Sequence, residues 1–244
     1  MFESQPLFHV KICGVTTPAD AALAAAAGAD AIGINFVVGS PRRIDVDRAR
    51  AVAAAVPPGV LAVGVFAGMP AVEMLAIVRA IGLGAVQLHG HLVGEGGGVD
   101  APKTCAALGD VPVIRAVRLG DDGLAEARRW LASATAAGGS PRMAIIDAAA
   151  PAGAATGVLG GTGARVDWRA LADEQPLGLP WALAGGLGPE NVGEAIGVTG
   201  AAAVDVASGV ESAPGIKDPD RVRAFVEAAR AAWRKGPVRP PRGG

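Results

Sequence analysis

The chain has 244 residues, a formal charge of −1, 51% hydrophobic residues and two cysteines. That length suits one α/β barrel domain, and with no basic cluster on any periodic face neither nucleic acid nor an anionic membrane is an expected polyvalent partner. Cys13 and Cys105 form no disulfide or zinc spacing, so reduced thiols in a cytosol and a small-molecule partner are expected. Met1 to Ser4 lacks the basic-then-apolar order of a signal peptide, and the apolar run Ala21 to Ala27 is too short to span a bilayer; a cytoplasmic protein is expected.

Apolar β-branched runs alternate with helical stretches in eight units, read as Phe8 to Cys13, Ala31 to Phe36, Leu61 to Phe66, Ala85 to His89, Val113 to Val117, Met143 to Asp147, Trp181 to Ala184 and Ala203 to Ala207. This alternation predicts a parallel sheet wound by crossover helices, and eight units close a single-domain (β/α)8 TIM barrel over residues 1–235. Helix starts are marked at Thr17-Pro18, Asp45, Met69-Pro70, Asp121, Asp167, Pro189 and Asp218-Pro219. Gly-Ala recurs before the second, fourth and eighth strands at Gly28, Gly84 and Gly200, where a left-handed glycine would close the preceding helix. The segments 90–100 and 148–160 read as mobile loops, and the Pro/Arg/Gly tail 236–244 as disordered.

Strands buried on both faces should be apolar throughout, so polar residues on one alternating phase need a reason. Lys11 and Cys13 stand opposite Val10 and Ile12, Asn35 opposite Ile32 and Ile34, and Gln87 and His89 opposite Val86 and Leu88, with Arg115, Asp147 and Asp205 in similar places. A polar cavity at the C-terminal mouth would collect them. Taken singly, Lys11 and Asp205 read as a structural ion pair, His89 as a hydrogen-bonded wall residue and Cys13 as a small buried hydrophobe. Glycine turns at Gly160-Gly161-Thr162-Gly163, Ala184-Gly185-Gly186 and Ala207-Ser208-Gly209 follow the last three strands, where backbone N–H groups can converge on a phosphate, helped by a short helix after the eighth strand.

Lys11-Ile12-Cys13-Gly14, Ser40-Pro41-Arg42, Val86-Gln87-Leu88-His89-Gly90, the three glycine turns and Val204-Asp205 to Glu211 form one set of motifs. With them, from Lys11 to Phe225, the chain resembles the phosphoribosylanthranilate isomerases of tryptophan biosynthesis. The resemblance implies an Amadori rearrangement with no cofactor and no metal, Cys13 as general base and Asp147 as general acid. It further implies Arg42 on the anthranilate carboxylate and the phosphate on Gly161, Thr162, Gly163, Gly185, Gly186, Ser208 and Gly209; His89 and Asp205, on the polar phase, are expected to bind substrate as well. A monomer or homodimer acting on a phosphorylated small molecule is expected. A histidine-pathway isomerase of the same barrel class shares the phosphate loops but has aspartate where this chain has Cys13, and an idle phosphate-binding barrel would need neither Cys13 nor Asp147.

Overall fold

The computed structural model describes residues 5–89, 101–119, 122–148, 168–174 and 177–236. Eight parallel strands form one closed barrel in sequence order: β1 (Val10–Cys13), β2 (Ala31–Asn35), β3 (Leu61–Phe66), β4 (Ala85–Leu88), β5 (Val113–Arg118), β6 (Pro141–Asp147), β7 (Trp181–Ala184) and β8 (Ala203–Val206). Helices follow each strand: α1 (Pro18–Ala26), α2 (Val46–Ala54), α3 (Ala71–Ile81), α4 (Pro102–Ala107), α5 (Ala125–Ala136), α6 (Trp168–Ala172), α7 (Val192–Thr199) and α8 (Pro219–Lys235). All eight predicted strands are present, within two residues at each end. Among the described residues no helix is long and apolar enough to cross a membrane.

Local sequence explains three helix starts directly. The hydroxyl of Thr17 accepts from Asp20 N at 3.1 Å, and the carboxylates of Asp45 and Asp218 accept from Arg48 N at 2.8 Å and Arg221 N at 3.0 Å, each satisfying an orphan N–H of a first turn. Pro189 does not start a helix: residues 189–191 form a turn, held by Asn191 Oδ1 accepting from Gly188 N, and α7 begins at Val192. The left-handed residue closing α3 is Gly82 at φ +72°, two positions before the expected Gly84, where a Cβ would press on Leu61. Asp121, Asp167, the tail from 237 and the loop segments 90–100 and 149–160 lie outside the described residues.

The alternation along the strands separates two apolar layers. One phase, including Ile12, Ile32, Val86 and Val204, faces the helices; the other, including Ala31, Val63, Ile114, Ile145 and Ala182, fills the barrel. On α8 the buried residues Val222, Phe225, Val226 and Ala229 follow helical spacing, and Arg230 binds Gly28 O at 2.6 Å and Asp30 at 3.0 Å, locking the last helix to the start of β2. After β8 the chain makes a three-residue 3-10 turn, Ser208–Val210, and a hairpin, β9 (Glu211–Ala213) with β10 (Ile216–Lys217). The hairpin is not expected from the sequence, whereas the short helix expected after the eighth strand is present as this single 3-10 turn.

Arg115 corrects the polar-phase reading. It sits on the outward phase of β5, fully packed, with its guanidinium 5.0 Å from the Trp130 ring centroid and Nη1 donating to Leu88 O at 3.3 Å. It therefore belongs to the helix layer, while Arg118, three residues on, faces the cavity. In urea unfolding, Arg115→Met should lower stability by about 1–3 kcal/mol, through the lost cation–π and hydrogen-bond contacts, and the exposed Arg118→Met by under about 0.5. Equal losses would contradict the assignment of Arg115 to the outer layer.

Candidate active site

The inward phase opens at the C-terminal mouth into a cavity of about 440 Å³ lined by Cys13, Asn35, Ser40, Arg42, Gln87, His89, Arg118, Asp147, Gly185, Gly186, Asp205 and Ser208, among others. Cys13 ends β1 with 9% of its surface exposed, level with Gly33 on β2. A Cβ at Gly33 would come within 2.8 Å of Cys13 Sγ and 3.1 Å of Lys11 Nζ, so only glycine leaves room for both groups against the strand. Asp147 ends β6, three strands around the ring from β1. The two predicted proton-transfer groups thus stand on different walls of one cavity.

Lys11 lies one layer below Cys13 and is wholly buried, its ammonium 2.8 Å from Asp205 Oδ1 on the neighbouring β8. The ion pair read from the sequence therefore forms, and Asp205, which also lines the cavity, is tied by one oxygen to Lys11. Burial works against the charge of Lys11, but Asp205 and Cys13 beside it hold its pKa above the ordinary lysine value. For Cys13 burial dominates. It pushes the thiol pKa up, and the attraction of Lys11 and Lys217 offsets this only in part.

The β2 loop is shaped by Asn35, whose Oδ1 accepts from Val37 N at 2.7 Å while Nδ2 donates to Ser40 Oγ at 3.2 Å; that oxygen also accepts from Arg42 N at 3.2 Å. This places Arg42 on the cavity, and Arg43 is exposed. Arg42 does not present a bare guanidinium: Nε and Nη2 donate to the two oxygens of Glu211 at 2.8 and 2.6 Å. His89 follows β4 at the rim, its N–H donating to Phe66 O at 2.8 Å. Gln87, 2% exposed, lines the wall, and its buried Oε1 lacks a hydrogen-bond partner among the described residues.

Of the proposed phosphate cradle, Gly185 (φ +90°), Gly186 (φ +62°) and Ser208 line the cavity. Gly209 does not line it. Its constraint is the β7 turn, because a Cβ there would overlap Leu187 O, so the β8 turn rests directly on the backbone of its neighbour. Gly161, Thr162 and Gly163 lie outside the described residues. Arg118 on the cavity, and Glu211 and Lys217 behind Arg42, stand beyond the residues expected from the sequence. Arg118 pairs in register with Asp147 and continues the inward phase of Ile114 and Ala116, a signal the alternation already contained.

A family model described as N-(5'phosphoribosyl)anthranilate (PRA) isomerase matches residues 10–228. The chain belongs to the N-(5'-phosphoribosyl)anthranilate isomerase family of tryptophan biosynthesis. Its relative from Myxococcus xanthus, an N-(5'-phosphoribosyl)anthranilate isomerase, is 44% identical over 91% of this chain and 96% of that one. The phosphoribosyl anthranilate isomerase of Thermotoga maritima superposes with a TM-score of 0.77 at 33% identity, covering 92% of this chain and 99% of its own. A further isomerase structure, in complex with reduced 1-(o-carboxyphenylamino)-1-deoxyribulose 5-phosphate, has a TM-score of 0.72 at 31% identity over 92% and 99%. This isomerase family is thus shared along nearly the whole chain.

The raised pKa of Cys13 has a direct test. Burial favours the neutral thiol, so the thiolate fraction grows only at pH above the free-cysteine range. The alkylation rate of Cys13 by iodoacetamide, followed on its own peptide by mass spectrometry, should climb steadily through about pH 9. A plateau below about pH 8 would show a thiol activated in the free protein instead.

Proposed function

We propose that this isomerase converts N-(5-phosphoribosyl)anthranilate to 1-(2-carboxyphenylamino)-1-deoxyribulose 5-phosphate in the cytoplasm by general acid–base catalysis. The observation that carries the reading is the order of groups around the mouth: Arg42 after β2, Cys13 on β1, Asp205 and Ser208 at β8, Gly185 and Gly186 after β7, and Asp147 on β6. An elongated substrate with a carboxylate at one end and a phosphate at the other suits that order. Its carboxylate would lie against Arg42, its phosphate against the backbone N–H groups of the β7 and β8 turns, and its ribose carbons near Cys13.

In this scheme Asp147 gives a proton to the furanose ring oxygen as the bond from that oxygen to C1 breaks, and the anilino nitrogen supplies the electron pair that forms the protonated Schiff base. Cys13, as thiolate, removes the proton from C2, and the electrons of that C–H bond move through C1 to neutralise the nitrogen, giving an enolamine. The enol proton passes to the Asp147 carboxylate and the Cys13 thiol returns its proton to C1, which yields the ketose and restores both groups. Every step is driven by a proton transfer, which is chemistry that two positioned groups on separate walls can perform. A base with an elevated pKa binds the abstracted proton more strongly once it is ionised, which suits removal of a carbon acid's proton.

Turnover is read as loss of the fluorescence of synthetic phosphoribosylanthranilate. Cys13→Ser and Asp147→Asn should each lower kcat by a factor of roughly a hundred to ten thousand, the usual loss on removing a proton-transfer group. A folded Asp147→Asn variant retaining parental turnover would overturn the assignment of the acid.

A further inference from the structure

Beneath the mouth, beside Arg42, lies a carboxylate shared by two cations. Glu211 Oε1 accepts from Arg42 Nε at 2.8 Å and from Lys217 Nζ at 2.7 Å, while Oε2 accepts from Arg42 Nη2 at 2.6 Å. Lys217 Nζ also donates to the carbonyl oxygens of Cys13 at 2.7 Å and Ala207 at 3.2 Å. Glu211 and Lys217 are 6% and 3% exposed, and neither lines the cavity, whereas Arg42 does. The hydrogen bonds from Arg42 and Lys217 overcome burial to hold the Glu211 carboxyl below its ordinary pKa, so it is ionised at neutral pH.

A guanidinium carries five N–H groups in a fixed plane, and Glu211 takes the Nε edge. Three remain: both on Nη1 and the second on Nη2, forming a complete fork at the far end that has no partner among the described residues. An arginine paired with one carboxylate is electrically spent. Here the second cation restores a surplus of one positive charge, because Lys217 shares the same carboxylate. The stem of Arg42 is fixed as well, since it passes so close to Gly14 that a Cβ there would run into its Cδ.

We propose that Glu211 and Lys217 are positioning residues for substrate recognition. Glu211 sets the plane of Arg42 so that its free fork meets the anthranilate carboxylate, and Lys217 keeps the unit cationic while anchoring it to the carbonyl of the base residue itself. The inference rests on the reading that Arg42 receives that carboxylate. It makes Glu211, 169 residues from Arg42 in sequence, a determinant of KM.

The test is steady-state kinetics of Arg42→Ala, Glu211→Gln, Glu211→Asp, Lys217→Met and the Arg42→Ala/Glu211→Gln double variant, with folding checked by circular dichroism. Glu211→Gln should raise KM about tenfold with kcat within about threefold, the pattern of lost uniform binding; Lys217→Met should raise KM likewise and also lower kcat, because Lys217 attracts the negative charge at Cys13. Glu211→Asp, which keeps the charge on a shorter stem, should fall between, and the double variant should have no higher KM than Arg42→Ala alone. Reduced 1-(phenylamino)-1-deoxyribulose 5-phosphate, which lacks the carboxylate, should inhibit the parent and Glu211→Gln equally; a general loss of structure would weaken it in the variant. If Arg42→Ala raises KM but Glu211→Gln and Glu211→Asp do not, or if their effects add to it, this inference fails and the placement of the carboxylate stands. An unchanged KM in Arg42→Ala would overturn both.

Discussion

A fully buried ammonium underlies this site. Lys11 has no exposed surface and meets Asp205 at 2.8 Å across the seam where β1 closes onto β8. Taking two charges out of water costs several kcal/mol per ion, and only a close, well-directed pair offsets that; removing one partner typically costs about 3–5 kcal/mol. A register slip of one residue by either strand at this seam would turn its charge toward the apolar helix layer and leave the other buried without its partner, so the pair specifies the closure. Closure in turn sets Cys13 at the rim of β1 and delivers the Ser208 turn beside it.

The same cluster sets the chemistry of the thiol. Lys11 and Lys217 attract a negative charge at Cys13, Asp205 repels one, and burial penalises it most, so the free protein holds a neutral thiol with cations already in place. The larger balance of the mouth is also informative. Lys11 is matched by Asp205, while Arg42 and Lys217 together face one Glu211, leaving room for one further anionic group on the β2 side. On the β7 and β8 side the turns offer neutral N–H groups instead, and Gly209 lets those two turns stack backbone on backbone. Two kinds of anion receptor on one cavity accord with a substrate that carries two different anions.

What the sequence made legible is what depends on local period and local chemistry. Buried parallel strands interrupted on one phase by Lys11, Cys13, Asn35, Gln87 and Asp147 announce both a barrel and the wall that faces its mouth, and Thr17, Asp45 and Asp218 announce helix starts. Arg115 resembled that wall set only by being polar; counting its phase from Ile114 and Ala116 puts it outside. The hairpin Glu211 to Lys217 was not legible, because its strands are two and three residues long and follow a glycine turn. The role of Glu211 and Lys217 is hidden for a stronger reason. Their partners, Arg42 and the carbonyl of Cys13, lie 169 and 204 residues away and meet them only when β1, β2 and β8 are neighbours in a closed barrel.

The central claim is that one substrate spans this mouth from the Arg42 fork to the β7 and β8 turns, with its reacting carbons beside Cys13. A crystal structure of the protein bound to reduced 1-(o-carboxyphenylamino)-1-deoxyribulose 5-phosphate tests that most directly. The account predicts the carboxylate on Nη1 and Nη2 of Arg42 with the Glu211 pair intact, the phosphate against the backbone N–H groups of Gly185, Gly186 and Ser208, and Cys13 Sγ within about 3.5 Å of C2, the separation of groups poised to react. A carboxylate that displaces Glu211, or a phosphate seated away from those turns, would contradict it.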